Sequence, residues 1–361
     1  GERRQIAMLV GYIGAEYAGF DAQPSNPSAR TVGGEMLRAL AKSGAVTQQD
    51  SLETIAWSRS AATQEGEHAA AQSVAFDCLA FRTSMQGFTD RLNSKLPPDL
   101  RVLNAAPCEA PGAGGKAPPP AAQGHRFHAH YDAASVVYEY AVPSAFLARV
   151  PEAAVAGGVH SLQEHMASFR LTKKQEKAAN GLLRAFITGG TKGRPWHAAT
   201  WEFRRFTDPH RVVAEYGGNT RVSVKAAACG RRHVVNGVEH TCIQVEGRGF
   251  LCGQVRRMVG LVVMLLQGRS KAPPEDVLQA ALRGDPSVQP PPAPAHGVVL
   301  DRTSYQAGEG GALPKEGWSD AYSAQQVESF RNKLILPHVG APQATGVMCR
   351  WLLEAGSGWV A

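Results

Sequence analysis

Three histidines, His125, His128 and His130, crowd the start of one strand-like stretch. Imidazoles this close could ligate a metal, but a metal site needs further ligands that the neighbouring sequence does not supply. No metal and no cofactor is expected, and His130 reads as a nucleic-acid contact. The cysteines, Cys78, Cys108, Cys229, Cys242, Cys252 and Cys349, contain no C-x-x-C pair, which removes a zinc ribbon or a thioredoxin-type redox site. Signatures of phosphate loops, dinucleotide binding, zinc proteases and serine hydrolases (G-x-G-x-x-G, P-loop, H-E-x-x-H, G-x-S-x-G) are absent. What remains is paired positive charge: Lys173–Lys174, Arg204–Arg205, Arg231–Arg232, Arg256–Arg257, and Arg269 with Lys271. One such pair is a solvated face, whereas several along one groove would bind phosphates. The overall balance, 38 basic against 31 acidic residues or +7, fits an anionic partner such as nucleic acid.

The elements that must position these groups follow from periodicity. Residues 6–13 (IAMLVGYI) form an unbroken apolar run, as in a strand buried on both faces. Thr31–Leu40 reads as a helix capped by Thr31, and 73–79 as another strand. A helix spans Ser84–Leu96 and stops at Pro97–Pro98. Low-complexity residues 105–124 mark a linker or large surface loop. Beyond it, 126–142, 211–228 and 233–246 are strand-like, while 173–187, Gly253–Gln267, 275–283 and Ala324–Ile335 are helical, the second amphipathic with Arg256 and Arg257 on its polar side. The proline tract 289–297 is extended, and residues 307–317 form a Gly-rich break. Strands alternate with helices in two comparable halves, an α/β (α+β) architecture.

With 361 residues and a hydrophobic fraction of 43%, the chain builds a real core, and global disorder is excluded. The longest apolar run, Val259–Leu266, is far short of the roughly 18 residues of a membrane span. Reduced intracellular thiols are expected rather than disulfides. Gly1 in place of an initiator Met is read as a chain whose leader was cleaved or lies outside this numbering.

Laid end to end, the segments resemble the tRNA pseudouridine synthase A (TruA) family, its eukaryotic-type branch above all. The resemblance is carried by GYIGAEYAGFDAQ (11–23) with TVGGEMLRAL (31–40), LNSKLPPDLRV (92–102), FHAHYDAASVVYEY (127–140), GRGFLCGQVRRMVG (247–260) and APAHGVVLDRTSY (293–305), and by the tail ESFRNKLILPHV (328–339) with RWL (350–352). It covers nearly the whole chain in order. It implies a pseudouridine synthase fold of two sheet-and-helix halves joined around a central basic cleft. The expected boundaries are 1–124 for the N-terminal half, 125–305 for the C-terminal half, and 306–361 for a Gly-rich linker and helical tail. It also implies that Tyr138 occupies the position of the active-site tyrosine and that Arg256 and Arg257 lie beside the cleft, Arg256 as part of its floor. Arg59, Arg231, Arg232 and His130 complete the candidate RNA contacts.

The catalytic stretch departs from the pattern. The family reads R-T-D-K-G followed by a small run and A-A-G-Q; here WSRSAATQEGEHAAAQSVAF (57–76) aligns without a gap. In that register the catalytic Asp falls on Gln64, its Arg on Ala62 and the Lys on Glu65. The chemistry requires a carboxylate to attack a flipped uridine, and a neutral amide is too poor a nucleophile. Glu65 and Glu67 flank the position as candidate substitutes. Val136 and His130 stand where relatives carry basic residues. The expectation is an inactive homologue retained for RNA binding, in ribosome or ribonucleoprotein assembly or as a structural subunit. The alternative is an active synthase acting on tRNA or rRNA through Glu65 or Glu67. The expected partners are rRNA or tRNA, a ribosomal particle or assembly intermediate, and a second copy or a related synthase in a dimer, with no membrane. The expected compartment is intracellular, a mitochondrion ahead of the nucleus.

Overall fold

The computed structural model describes residues 2–23, 26–80, 83–108, 126–189, 200–305 and 318–358. Most of the expected 105–124 loop and the Gly-rich break 307–317 lie outside these residues. The chain folds into two compact units, Gly1–Val136 with Leu300–Ile335, and Val137–Val299 with Leu336–Ala361. The divisions therefore fall elsewhere than the boundaries expected at 124 and 305: the chain changes unit inside two strands and once more within its helical tail.

The strands are β1 (Arg3–Tyr12), β2 (Ser58–Arg59), β3 (His68–Leu79), β4 (Leu100–Pro107), β5 (Ala133–Pro143), β6 (Trp201–Glu202), β7 (Arg221–Val235), β8 (Val238–Arg248) and β9 (Val298–Tyr305). In the first unit the order is β4-β1-β3-β9, with β2 added to β3. The central β1 pairs antiparallel with both β3 and β4, which accounts for its apolar run: every residue from Ile6 to Tyr12 is buried. Helix Val32–Ser43 begins where the Thr31 hydroxyl accepts the Gly34 N–H at 3.2 Å and ends at Gly44, whose φ of +77° is left-handed. Its Val32, Met36, Ala39 and Leu40 face the core. Burying each of the larger apolar side chains contributes about 2 kcal/mol. Helix Met85–Asn93 is capped in the same way by Ser84.

The expected helix at 324–335 is helical from Ala321 to Phe330 and then widens into a π-helical turn, Arg331–Ile335. Arg331, 2% exposed, is ion-paired there with Asp301 of β9. A charge so deep in the unit needs that carboxylate, since an unpaired buried guanidinium costs several kcal/mol, on the order of 3–5.

In the second unit the order is β5-β8-β7-β6. Helix Gln254–Leu266 is buried over most of its circumference, and only its first turn keeps the polar side expected from sequence. The proline tract lies so close that a Cβ on Gly260 would sit 1.8 Å from the Pro291 carbonyl oxygen. Helix Pro342–Gly358 docks here through the Cys349 thiol, which donates to Met166 Sδ at 3.5 Å. All six cysteines are free thiols. No helix among the described residues is long and apolar enough to cross a membrane.

Two expectations fail locally for identifiable reasons. The expected strand 211–228 starts only at Arg221, because Asp208 caps a short helix, Pro209–Ala214, with Pro209 in its first turn. Gly217 and Gly218, both at positive φ, then reverse the chain. The expected strand 126–142 starts only at Ala133. The Asp132 carboxylate accepts the His128 N–H at 2.8 Å and closes residues 128–132 into a turn. Helices Glu152–Ala156 and Gly158–Ser168 lacked a legible periodic stripe in the sequence.

Candidate functional site

In the first unit the hairpin between β2 and β3 holds the loop onto which the resemblance maps the catalytic motif. Gln72, fully buried in an otherwise small and apolar stretch, clamps the loop's entry. Its amide oxygen accepts the Ser60 hydroxyl at 2.6 Å and the Ala61 N–H at 3.3 Å, and its amide nitrogen donates to the Ala61 carbonyl at 2.6 Å. Ser60 Oγ also accepts from Thr303 at 2.9 Å. The middle of the loop is pinned by Thr63, whose hydroxyl lies 2.7 Å from the buried Tyr12 hydroxyl and whose carbonyl accepts the Phe20 N–H. Burial raises the Tyr12 phenol well above its ordinary range, so it stays a neutral hydrogen-bonding group. The exit is closed where Gly14 N–H donates to His68 Nδ1 at 2.9 Å. Only glycine fits at that point, since a Cβ on Gly14 would lie 1.8 Å from the Glu67 carbonyl oxygen.

This frame sorts the side chains of residues 62–67. Thr63 and Glu67 point inward, Ala62 and Glu65 are exposed, and Gln64 is half-buried. The two candidate substitutes are therefore not interchangeable. Glu67 is 5% exposed and its carboxylate accepts the Gln64 N–H at 2.8 Å, while its own N–H donates to the Gln64 carbonyl at 3.1 Å. Glu67 braces the turn through Gly66, which sits at φ +77°. Glu65 is the outward carboxylate. Arg59 forms a two-point ion pair with Asp21, at 2.8 and 3.0 Å from Nε, and lies over the Phe20 ring at 5.9 Å. His130 is exposed and its Nδ1 lies 3.0 Å from the Ser60 carbonyl, so it sits beside the loop.

The second unit contains the other candidates. Tyr138 of β5 is 7% exposed and meets Phe250 edge-on at 5.3 Å, an aromatic seated in the core. Arg256 Nε donates to the Ala293 carbonyl at 2.6 Å, and the Ala293 N–H returns a bond to the Arg256 carbonyl at 3.1 Å. Arg257 donates to the Pro290 carbonyl at 3.0 Å. Burial and then the charge of Arg256 lower the Arg257 pKa, but a guanidinium stays charged at neutral pH. Both arginines thus tie the proline tract to helix Gln254–Leu266. Arg231 pairs at 2.9 Å with Glu139, which is 1% exposed and also accepts from Gln244 at 2.6 Å. Arg232 pairs with Glu176 and donates to the Leu171 carbonyl at 2.9 Å. Arg205 donates to the Gly284 carbonyl. The more open cations are Lys173, Lys174, Arg204 and Lys271. Among the described residues no group of three or more His, Cys, Asp or Glu is placed to hold a metal ion.

Sequence reasoning missed the loop's clamps, Tyr12, Thr63 and Gln72. The legible signals were a tyrosine at the end of an aliphatic buried run and a single amide inside HAAAQSVAF.

A mixed α/β fold with these elements is consistent with the pseudouridine synthase fold, and known proteins agree. A family described as tRNA pseudouridine synthase matches residues 203–306. The mouse protein named Pseudouridylate synthase 1 homolog is 26% identical, covering 97% of this chain and 73% of its own length. The tRNA pseudouridine synthase A of an Exiguobacterium strain is also 26% identical, covering 84% of this chain and 98% of its own length. The Saccharomyces cerevisiae tRNA pseudouridine(27/28) synthase is 24% identical over 81% of this chain. The chain carries a TruA-type pseudouridine synthase domain.

Proposed function

We propose that the protein binds RNA through its pseudouridine synthase domain without isomerising uridine, serving ribosome or ribonucleoprotein assembly. The observation that carries this reading is the loop 60–67: its backbone is braced on every side, yet the half-buried side chain at Gln64, where the resemblance places the catalytic Asp, is an amide. An amide cannot form the covalent adduct that splits the glycosidic bond cleavage into two easier steps. Ala62, in the same register, offers no cation to pair with a carboxylate or a flipped nucleotide. RNA, either tRNA as in the names of the relatives or rRNA, is the partner, and the exposed lysines and arginines of the second unit supply phosphate contacts.

A second reading, an active synthase, is supported at least as much by the relatives, which are named pseudouridine synthases, and by Glu65, exposed one residue from Gln64. Pseudouridine formation on tRNA and rRNA transcripts separates the two. The wild-type chain is expected to make none, and Gln64→Asp combined with Ala62→Arg to gain a measurable rate. Wild-type turnover equal to that double variant sinks the first reading. Wild-type turnover abolished by Glu65→Gln with RNA affinity intact establishes the second. Sedimentation of native extract at low salt then distinguishes a ribosomal particle from free tRNA, because phosphate contacts weaken steeply as salt rises.

A further inference from the structure

We propose that Tyr131 is a nucleobase-stacking platform that takes an unpaired base of single-stranded RNA beside the loop 60–65, a proposal that rests on the RNA-binding reading above. Tyr131 keeps 71% of its surface open. Yet the ring is held in place. His128 stacks on it with ring centroids 4.2 Å apart and planes 29° from parallel, and His130 meets it edge-on at 5.4 Å and 66°.

The turn beneath is closed by its own backbone. Asp132 N–H donates to the His128 carbonyl at 3.0 Å, and the N–H groups of His130 and Tyr131 both donate to His128 Nδ1 at 3.3 Å. The mount under the turn is rigid as well. Phe127 and Ala129 alternate inward, Phe127 against Tyr305 at 5.2 Å. Ala129 is bonded on both sides, its carbonyl accepting from the Tyr305 hydroxyl at 2.9 Å and its N–H donating to Ser58 Oγ at 3.1 Å. His130 Nδ1 then ties the turn to the Ser60 carbonyl at 3.0 Å. The platform is fastened to the entry arm of the hairpin that carries Gln64, at Ser58 and Ser60, and to Tyr305 of β9.

An open tyrosine ring whose orientation is fixed in the free protein loses little freedom when a flat partner lands on it. Every nucleobase presents such a face, whereas a base inside a duplex has already spent both of its faces on stacking. Alternation also puts Arg126, ion-paired with Asp77 yet with 58% of its side chain exposed, on the same outward side as His128 and His130, so the surface around the ring is polar and suits a nucleic-acid strand better than an apolar protein surface.

Fluorescence anisotropy with a short unstructured RNA oligonucleotide, and with the same sequence as a blunt duplex, tests this on the full chain. Tyr131→Ala is expected to weaken single-strand binding about tenfold and to leave duplex binding unchanged. Tyr131→Phe, which keeps the ring, is expected to bind like the wild type. The slope of affinity against salt is expected to stay the same in all three, because no charge is lost. Wild-type binding that Tyr131→Ala leaves untouched, or weakens equally on both probes, overturns the platform while the RNA-binding reading stands. Wild-type protein that binds neither probe overturns that reading and the platform with it. A Tyr131→Ala variant that loses self-association but not RNA makes the surface a protein contact and also overturns the proposal.

Discussion

The loop 60–67 of the first unit and the arginine-rich side of the second are built in opposite ways. In the loop, the neutral groups of Tyr12, Gln72 and His68 and a single inward carboxylate, Glu67, hold the frame, and the side chains of Ala62, Gln64 and Glu65 are left outside it. Around helix Gln254–Leu266 and β7, the charged side chains are themselves the fasteners: Arg256 and Arg257 grip the proline tract, and Arg231 neutralises a buried glutamate. A loop frame of this kind tolerates exchange of the residues it displays, whereas a charge used as a fastener is not free to change. The positions Gln64 and Ala62 could be exchanged at little cost to folding; Arg231 and Arg256 could not.

The largest expected effects come from the backbone-to-backbone approaches that both regions share. Gly14→Ala and Gly260→Ala each drive a Cβ to within 1.8 Å of a carbonyl oxygen, Glu67 in one case and Pro291 in the other. Each is expected to cost about 3 kcal/mol, read as a lower denaturant midpoint. Equal losses show that the two regions differ in their fasteners and not in how tightly the chain is packed.

Next in size, pH separates the two units. His240 and His296, in the second, are both held down to about 4, chiefly by burial; neighbouring histidines add to it, His233 for the first and His338 and His240 for the second. Their folded values lie below the ordinary 6.5, so unfolding takes up protons, and stability present above pH 6.5 is lost as the pH falls towards 4. About 2 kcal/mol for each histidine is expected to disappear by pH 4.5. Tyr12, Tyr17 and Tyr305, in the first unit, are raised by burial, with the Asp99 hydrogen bond adding to Tyr17. That contribution is present below pH 10 and lost as the pH rises beyond it. Tyr216 in the second unit is raised too, but it is only half-buried. Covalent footprinting during unfolding at pH 5 and pH 10.5 is expected to find acid opening the second unit first and alkali the first. The same order at both pH values breaks the comparison.

Arg231→Ala strips the buried Glu139 of this cation, with an expected loss of about 1–2 kcal/mol. By contrast, replacing the exposed Lys173 and Lys174 with alanine is expected to leave the melting temperature unchanged while lowering the salt slope of RNA binding by up to about two. If Arg231→Ala melts like the wild type, its charge is not a fastener. Of the stability losses the smallest is that of Tyr12→Phe, which removes one bond to Thr63 and is expected to cost about 1 kcal/mol in chemical denaturation.

Apolar runs and the Thr31 cap are local properties of the chain, and they already place β1, helix Val32–Ser43 and helix Gln254–Leu266. Residue identity alone also puts an amide at Gln64, the position onto which the resemblance maps a catalytic Asp. The fate of the charges was settled by long-range packing. Glu65 and Glu67 are one glycine apart and chemically identical, and it is the fold of Gly14 and Gln64 around them that sends one to solvent and one inward. Arg231 and Arg232 look like a solvated pair until Glu139 and Glu176, both distant in sequence, arrive beside them. Partners brought together across many residues decide whether a charged group faces water or holds the fold, and no window of sequence contains both members of such a pair.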